Sequence, residues 1–114
     1  MPGATFERYD VVVVPFPFTD RSATKRRPAL VISAADSFNK SAAHSVMAMI
    51  TSADNAAWPL DIELQDLKAA GLPARSVVRM KLFTLDHRLV LRKAGTLGAK
   101  DRAAVNRSLG KLLG

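Results

Sequence analysis

The order of apolar and polar positions predicts a chain made mostly of short strands and closed by one helix. Tyr9 to Val14 is a run of β-forming residues that reads as a buried strand. Pro15 and Pro17 then remove ladder donors, so this strand lies at an edge or breaks there. The polar, basic stretch Thr19 to Arg27 predicts a surface loop, and Pro28 to Ser33 restarts the β pattern. Ser45 to Thr51 forms a third strand ahead of the turn signal Asp54-Asn55. Trp58 to Leu64 alternates apolar with acidic residues, as in a strand with one wet face. Asp66 to Gly71 makes one helical turn or a loop, after which Ser76 to Leu85 and Arg88 to Leu91 continue the β pattern. From Ala99 the period changes, and Ala103, Val105, Leu109, Leu112 and Leu113 line one face of a helix. Gly110 costs that helix about 1 kcal/mol relative to alanine, so it depends on tertiary packing. The expected fold class is mainly β with a C-terminal helix: a small, strongly curved sheet or partly open barrel, covered on one side.

Composition narrows this further. The 114 residues fit one hydrophobic core, so a single domain over 1–114 is expected. There is no cysteine, which excludes disulfides, thiolate nucleophiles and thiolate metal sites. No apolar run approaches the ~20 residues of a membrane span. Met1-Pro2-Gly3 lacks a signal-peptide profile, so a cytoplasmic location without membrane contact is expected. Seventeen Lys and Arg against ten Asp and Glu give a net charge of +7. A small domain this basic commonly meets a polyanion, because each neutralised phosphate releases counterions. Arg21, Lys25, Arg26 and Arg27 crowd one segment, whereas Asp54, Asp61, Glu63 and Asp66 cluster in the middle of the chain.

The candidate chemistry starts at Arg27-Pro28. Proline biases Arg27 towards extended geometry, and a guanidinium fixed at a strand mouth can fork onto a phosphate. Lys25 and Arg26 add positive potential; a solvated basic loop is the competing explanation. Thr51-Ser52 offers two neighbouring hydroxyls at a strand end, and Asp20 with Thr19, Ser22 and Thr24 adds hydrogen-bonding groups beside the basic segment. These residue types suit RNA cleavage, because RNA carries its own nucleophile in the 2′-hydroxyl beside the scissile phosphate. The protein then needs to align that hydroxyl and stabilise charge on phosphorus. A 2′,3′-cyclic phosphate and a 5′-hydroxyl would result. No carboxylate cluster of the two-metal kind is apparent, and no metal or cofactor is expected. Arginine makes a poor general base. His44 and His87, the only side chains titrating near neutrality, read as structural or solvent-exposed, so the base is unassigned. Trp58 reads as a core residue, with base stacking as the alternative.

Five blocks, in order, resemble the MazF/PemK/Kid family of type II toxin–antitoxin toxins, particularly its PemK-like branch. Tyr9 to Asp20 resembles the opening strand and Lys25 to Ser33 the arginine–proline motif. Ile50-Thr51-Ser52, Ser76 to Arg79 with Thr84-Leu85-Asp86, and Gly95-Thr96-Leu97 resemble the later blocks. The resemblance spans nearly the whole chain. It implies an SH3-like barrel with a C-terminal helix, normally a homodimer. It further implies metal-independent, sequence-specific cleavage of single-stranded mRNA, restrained by an acidic, partly disordered cognate antitoxin. By position it makes Arg27 and Thr51 catalytic and assigns RNA contacts to Ser52 and Arg79; Asp20, Lys25 and Arg26 join them as RNA-binding candidates on the reading above. Some members use an aspartate two residues after the arginine of the fourth block. This chain has Lys81 there, with a shorter spacing to Thr84.

Two other functions fit a barrel of this kind. A CcdB-like toxin shares the fold but poisons DNA gyrase by binding, which does not need Arg27-Pro28 with Thr51. A non-catalytic nucleic-acid-binding barrel would be free to lose that pair, and both residues are present.

Overall fold

In the computed structural model, which describes residues 5–16 and 25–114, the strands form one antiparallel sheet. They are β1 (Asp10–Phe16), β2 (Lys25–Val31), β3 (His44–Ser52), β4 (Ile62–Glu63), β5 (Ser76–Asp86) and β6 (Arg92–Thr96), in spatial order β4-β5-β3-β2-β1-β6. The short helices α1 (Lys40–Ala42) and α2 (Leu67–Ala70) lie in connections, and α3 (Ala99–Leu113) follows the last strand.

The uninterrupted valine run of β1 is explained by burial on both faces. Side chains alternate along a strand. Val11 therefore packs with Leu30, Ala48, Ile50, Val78 and Met80 on one face, while Val12 and Val14 join Phe6, Ala29, Val31, Met47 and Leu85 on the other. Helix α3 covers the first face with Val105 and Leu109. The result is a half-open barrel with a helix across one side. Leu30 has no exposed surface, so Leu30→Ala is expected to cost about 3 kcal/mol in denaturant unfolding.

A backbone-to-backbone contact fixes the connection before β5. Asp66 caps α2 by accepting from the Ala69 amide at 3.0 Å, and Gly71 ends it at φ 72°. A Cβ on Gly71 would lie 2.1 Å from the Ala94 oxygen, and one on Gly95 would lie 2.3 Å from the Ala69 oxygen. Only glycine lets α2 and β6 approach this closely. Asp101, buried on α3, accepts from the amides of Gln65 (3.0 and 3.1 Å) and Asp66 (3.0 Å) and anchors the same connection.

Several elements differ from the sequence expectation. Lys25, Arg26 and Arg27 are not in a loop; they open β2 and pair with Phe16, Pro15 and Val14. Strand β1 continues through Pro15, although it lies inside the sheet. Its pairing with β6 ends at Val13, so Pro15 occupies a stretch with a partner on one side only. Trp58 to Leu60 turn rather than extend, with Leu60 at φ 66°, and only Ile62–Glu63 pair as a strand. Arg88 to Leu91 is not a strand either. His87–Leu89 form a 3₁₀ turn, and the final strand comes afterwards as Arg92–Thr96. On α3 the buried stripe is Asp101, Val105 and Leu109, while Ala103, Leu112 and Leu113 are exposed. The periodicity of a helix cannot show where the surface beneath it stops.

The 3₁₀ turn is held by Asp86, whose carboxylate accepts from the backbone amide (2.9 Å) and guanidinium (2.7 Å) of Arg88. Those bonds lower its pKa from 3.8 to about 2. A depressed folded-state value contributes stability above the unfolded pKa, and that contribution is lost as pH falls through the folded one. The stability gap between wild type and Asp86→Ala is therefore expected to be constant above pH 3.8 and to shrink towards about 2. Acid titrations of both proteins, followed by circular dichroism, check this.

Candidate active site

Strands β2 and β3 carry Arg27 and Thr51 to one cleft. The β2–β3 pairing ends at Ala29–Met49, and the two strands run on from there, β2 back to Arg27 and β3 forward to Thr51, at the same end of the sheet. Both side chains line a cleft of about 380 Å³, together with Pro28, Ser52, Asn55 and Arg75. Leu72 and Pro73, set in place by the Gly71–β6 contact, form its far wall. A second cleft of about 300 Å³ shares Arg27, Pro28, Leu72 and Pro73 and adds Arg26 and Arg92.

The local chemistry suits a phosphate. The Arg27 guanidinium sits over the Phe16 ring at 5.9 Å, and among the described residues no carboxylate forms an ion pair with it. Asn55 donates its side-chain amide to Thr51 Oγ1 at 2.6 Å. With that oxygen accepting, the threonine hydroxyl can direct its own hydrogen into the cleft. Ser52 Oγ accepts from the Asp54 amide at 3.1 Å, so it too keeps a hydrogen to donate. Glu63 pairs with the cleft residue Arg75 at 2.8 Å. The hydrogen bond from Arg75 holds its carboxyl below the ordinary value, which suits an ion pair rather than a proton acceptor near neutral pH.

Other candidates are distributed differently. Lys25 is exposed at the start of β2, and Arg26 faces the second cleft. Asp20, with Thr19, Ser22 and Thr24, lies outside the described residues. Arg79 does not line either cleft; it bonds Asp61 (3.2 and 3.0 Å) and the Ala56 oxygen (2.7 Å). His44 starts β3, seven residues from Thr51, roughly 23 Å along the strand. His87 is buried, with Nε2 2.7 Å from Ser45 Oγ and its ring edge-on to Phe6. Among the described residues no three His, Asp or Glu side chains converge as a metal-binding group. Asn55, Arg75 and Arg92 were not singled out from sequence. Asn55 was legible only as a turn residue, and the two arginines only as dispersed charge.

A curved antiparallel sheet closed by a C-terminal helix, with arginines and hydroxyls gathered at one cleft, defines a small barrel suited to a polyanion. The family model for PemK-like, MazF-like toxins of type II toxin–antitoxin systems matches residues 7–113, and the chain belongs to this family. It is similar in fold to MazF in a MazE–MazF crystal structure from Deinococcus radiodurans. The identity is 24%, with 97% of each chain covered and a TM-score of 0.74. MazF alone from that organism gives 25% identity, 96% and 97% coverage, and a TM-score of 0.72. An endoribonuclease in complex with its cognate antitoxin, from a mycobacterial species, has the same fold at 16% identity. The coverage is 95% and 94%, with a TM-score of 0.74. No curated protein sequence matches the chain. Among the described residues no helix is long and apolar enough to cross a membrane.

Proposed function

We propose that this toxin is a metal-independent endoribonuclease that cleaves single-stranded mRNA and so arrests translation. The observation that carries the reading is that Arg27 and Thr51 line one cleft in a chain that belongs to this toxin family. Arg27 neutralises charge building on the phosphorus as the 2′-hydroxyl attacks, and Thr51 donates to a phosphate oxygen. The P–O5′ bond breaks, leaving a 2′,3′-cyclic phosphate and a 5′-hydroxyl. Ser52 and Arg26 hold neighbouring phosphates; Lys25 contributes to RNA binding from the start of β2, and Asp20 is a further RNA-binding residue. Arg79 acts as a positioning residue through its bonds to Ala56 and Asp61.

The chain works as one domain, as a cytoplasmic homodimer, and is silenced by an acidic, partly disordered antitoxin segment. The relatives solved with antitoxins support that partner class. The net charge of +7 favours such a segment as it favours RNA. Antitoxin and RNA then compete for the surface around Arg27; simultaneous binding in a titration would contradict this. The central test is incubation of the purified protein with a long single-stranded RNA in EDTA. Fragments ending in cyclic phosphate are expected, and intact RNA would refute the proposal.

A further inference from the structure

We propose that Trp58, with Lys81 over part of its ring, is a base-stacking platform for single-stranded RNA, setting which nucleotide reaches the Arg27–Thr51 cleft. This rests on the endoribonuclease reading and assigns a further specificity-determining residue to it.

Trp58 is not in the core. It is 43% exposed, on the turn between β3 and β4. Its loop is tied down at several points, so the ring is presented from a fixed backbone. Asn55 bonds Thr51 at the cleft (2.6 Å), and Arg79 bonds the Ala56 oxygen (2.7 Å). The Trp58 amide donates to Asp61 Oδ2 (3.0 Å), and the Asp61 amide donates to the Trp58 oxygen (3.2 Å). Arg79 then binds Asp61 as well, which closes the turn on the same guanidinium. Leu60 keeps a left-handed backbone at φ 66°, a conformation that persists only where surrounding contacts hold it.

The platform adjoins the cleft. Arg79 pairs with Met49 and Val77 with Thr51, so Arg79 and Thr51 share one face of the sheet, roughly 7 Å apart along the strands. Lys81 Nζ lies over the Trp58 ring, 4.4 Å from its centroid, with Arg79 Cζ over it at 5.9 Å, and among the described residues Lys81 forms no ion pair. A base stacked on the part of the ring left exposed has a cation within reach of its phosphate.

Trp58 is the only tryptophan, so its fluorescence reports this site directly. The probe is a short single-stranded 2′-O-methyl RNA, which binds but has no free 2′-hydroxyl to attack. Saturating probe is expected to quench Trp58 emission at least about twofold. Trp58→Ala is expected to weaken probe binding about tenfold and to raise KM for cleavable RNA more than it lowers kcat. Trp58→Phe should keep most of the affinity, and Lys81→Ala should reduce the salt dependence of binding. Two results would overturn the proposal: unchanged emission while anisotropy shows saturation, or wild-type affinity in Trp58→Ala. Quenching without cleavage of natural RNA would leave the platform standing and remove the nuclease reading.

Discussion

Arg27→Ala is expected to slow RNA cleavage by a factor of about 10² to 10³, the usual loss when one preorganised donor to a developing anion is removed. Arg27 is exposed and sits at the open end of β2, so thermal unfolding should change by no more than about 0.5 kcal/mol. Arg27→Lys should not restore the rate, because a single ammonium cannot fork onto two phosphate oxygens. Thr51→Ala should also slow the reaction, and Thr51→Ser should recover it, since serine keeps the hydroxyl that Asn55 orients. Single-turnover rates on one RNA substrate, beside melting curves for each variant, separate catalysis from folding. Undiminished cleavage by Arg27→Ala would remove the proposed site while leaving the reaction class intact.

Gly95→Ala is expected to be strongly destabilising, exceeded only by Gly71→Ala, whose added carbon would meet the Ala94 oxygen at 2.1 Å on a backbone held at φ 72°. A Cβ on Gly95 would meet the Ala69 oxygen at 2.3 Å and the Ala70 carbonyl carbon at 2.6 Å, both backbone atoms that cannot rotate away. Helix α2 must then lift from β6, at a cost of about 3 kcal/mol or more. For a domain of this size that lowers Tm by roughly 10–15 °C. The same movement would displace Leu72 and Pro73, which wall both clefts, so residual RNA binding should weaken too. By contrast, a Cβ on Gly110 meets nothing within 4 Å, and Gly110→Ala is expected to stabilise α3 by up to about 1 kcal/mol. Opposite signs for the two substitutions in differential scanning calorimetry are the expected result.

The sequence by itself determined the mainly β class, the C-terminal helix, the family and the two residues on which the proposed chemistry turns. These are carried by local patterns: the valine run, the arginine–proline step, the Thr51-Ser52 strand end and the change of period at Ala99. Tertiary structure decided what depends on partners distant in the chain. It put Arg26 and Arg27 on a strand, because β1 offers them a pairing edge that no local propensity reveals. It turned Trp58 outward, because Arg79 and Asp61, eighteen residues apart, close the turn beneath it. It buried Asp101 in an apolar stripe, because the amides of Gln65 and Asp66 lie where its carboxylate can accept from both. Most of all, it brought Arg27 to Thr51. Cross-strand register is set by the packing of two whole strands, and neither strand's own sequence contains the other's position.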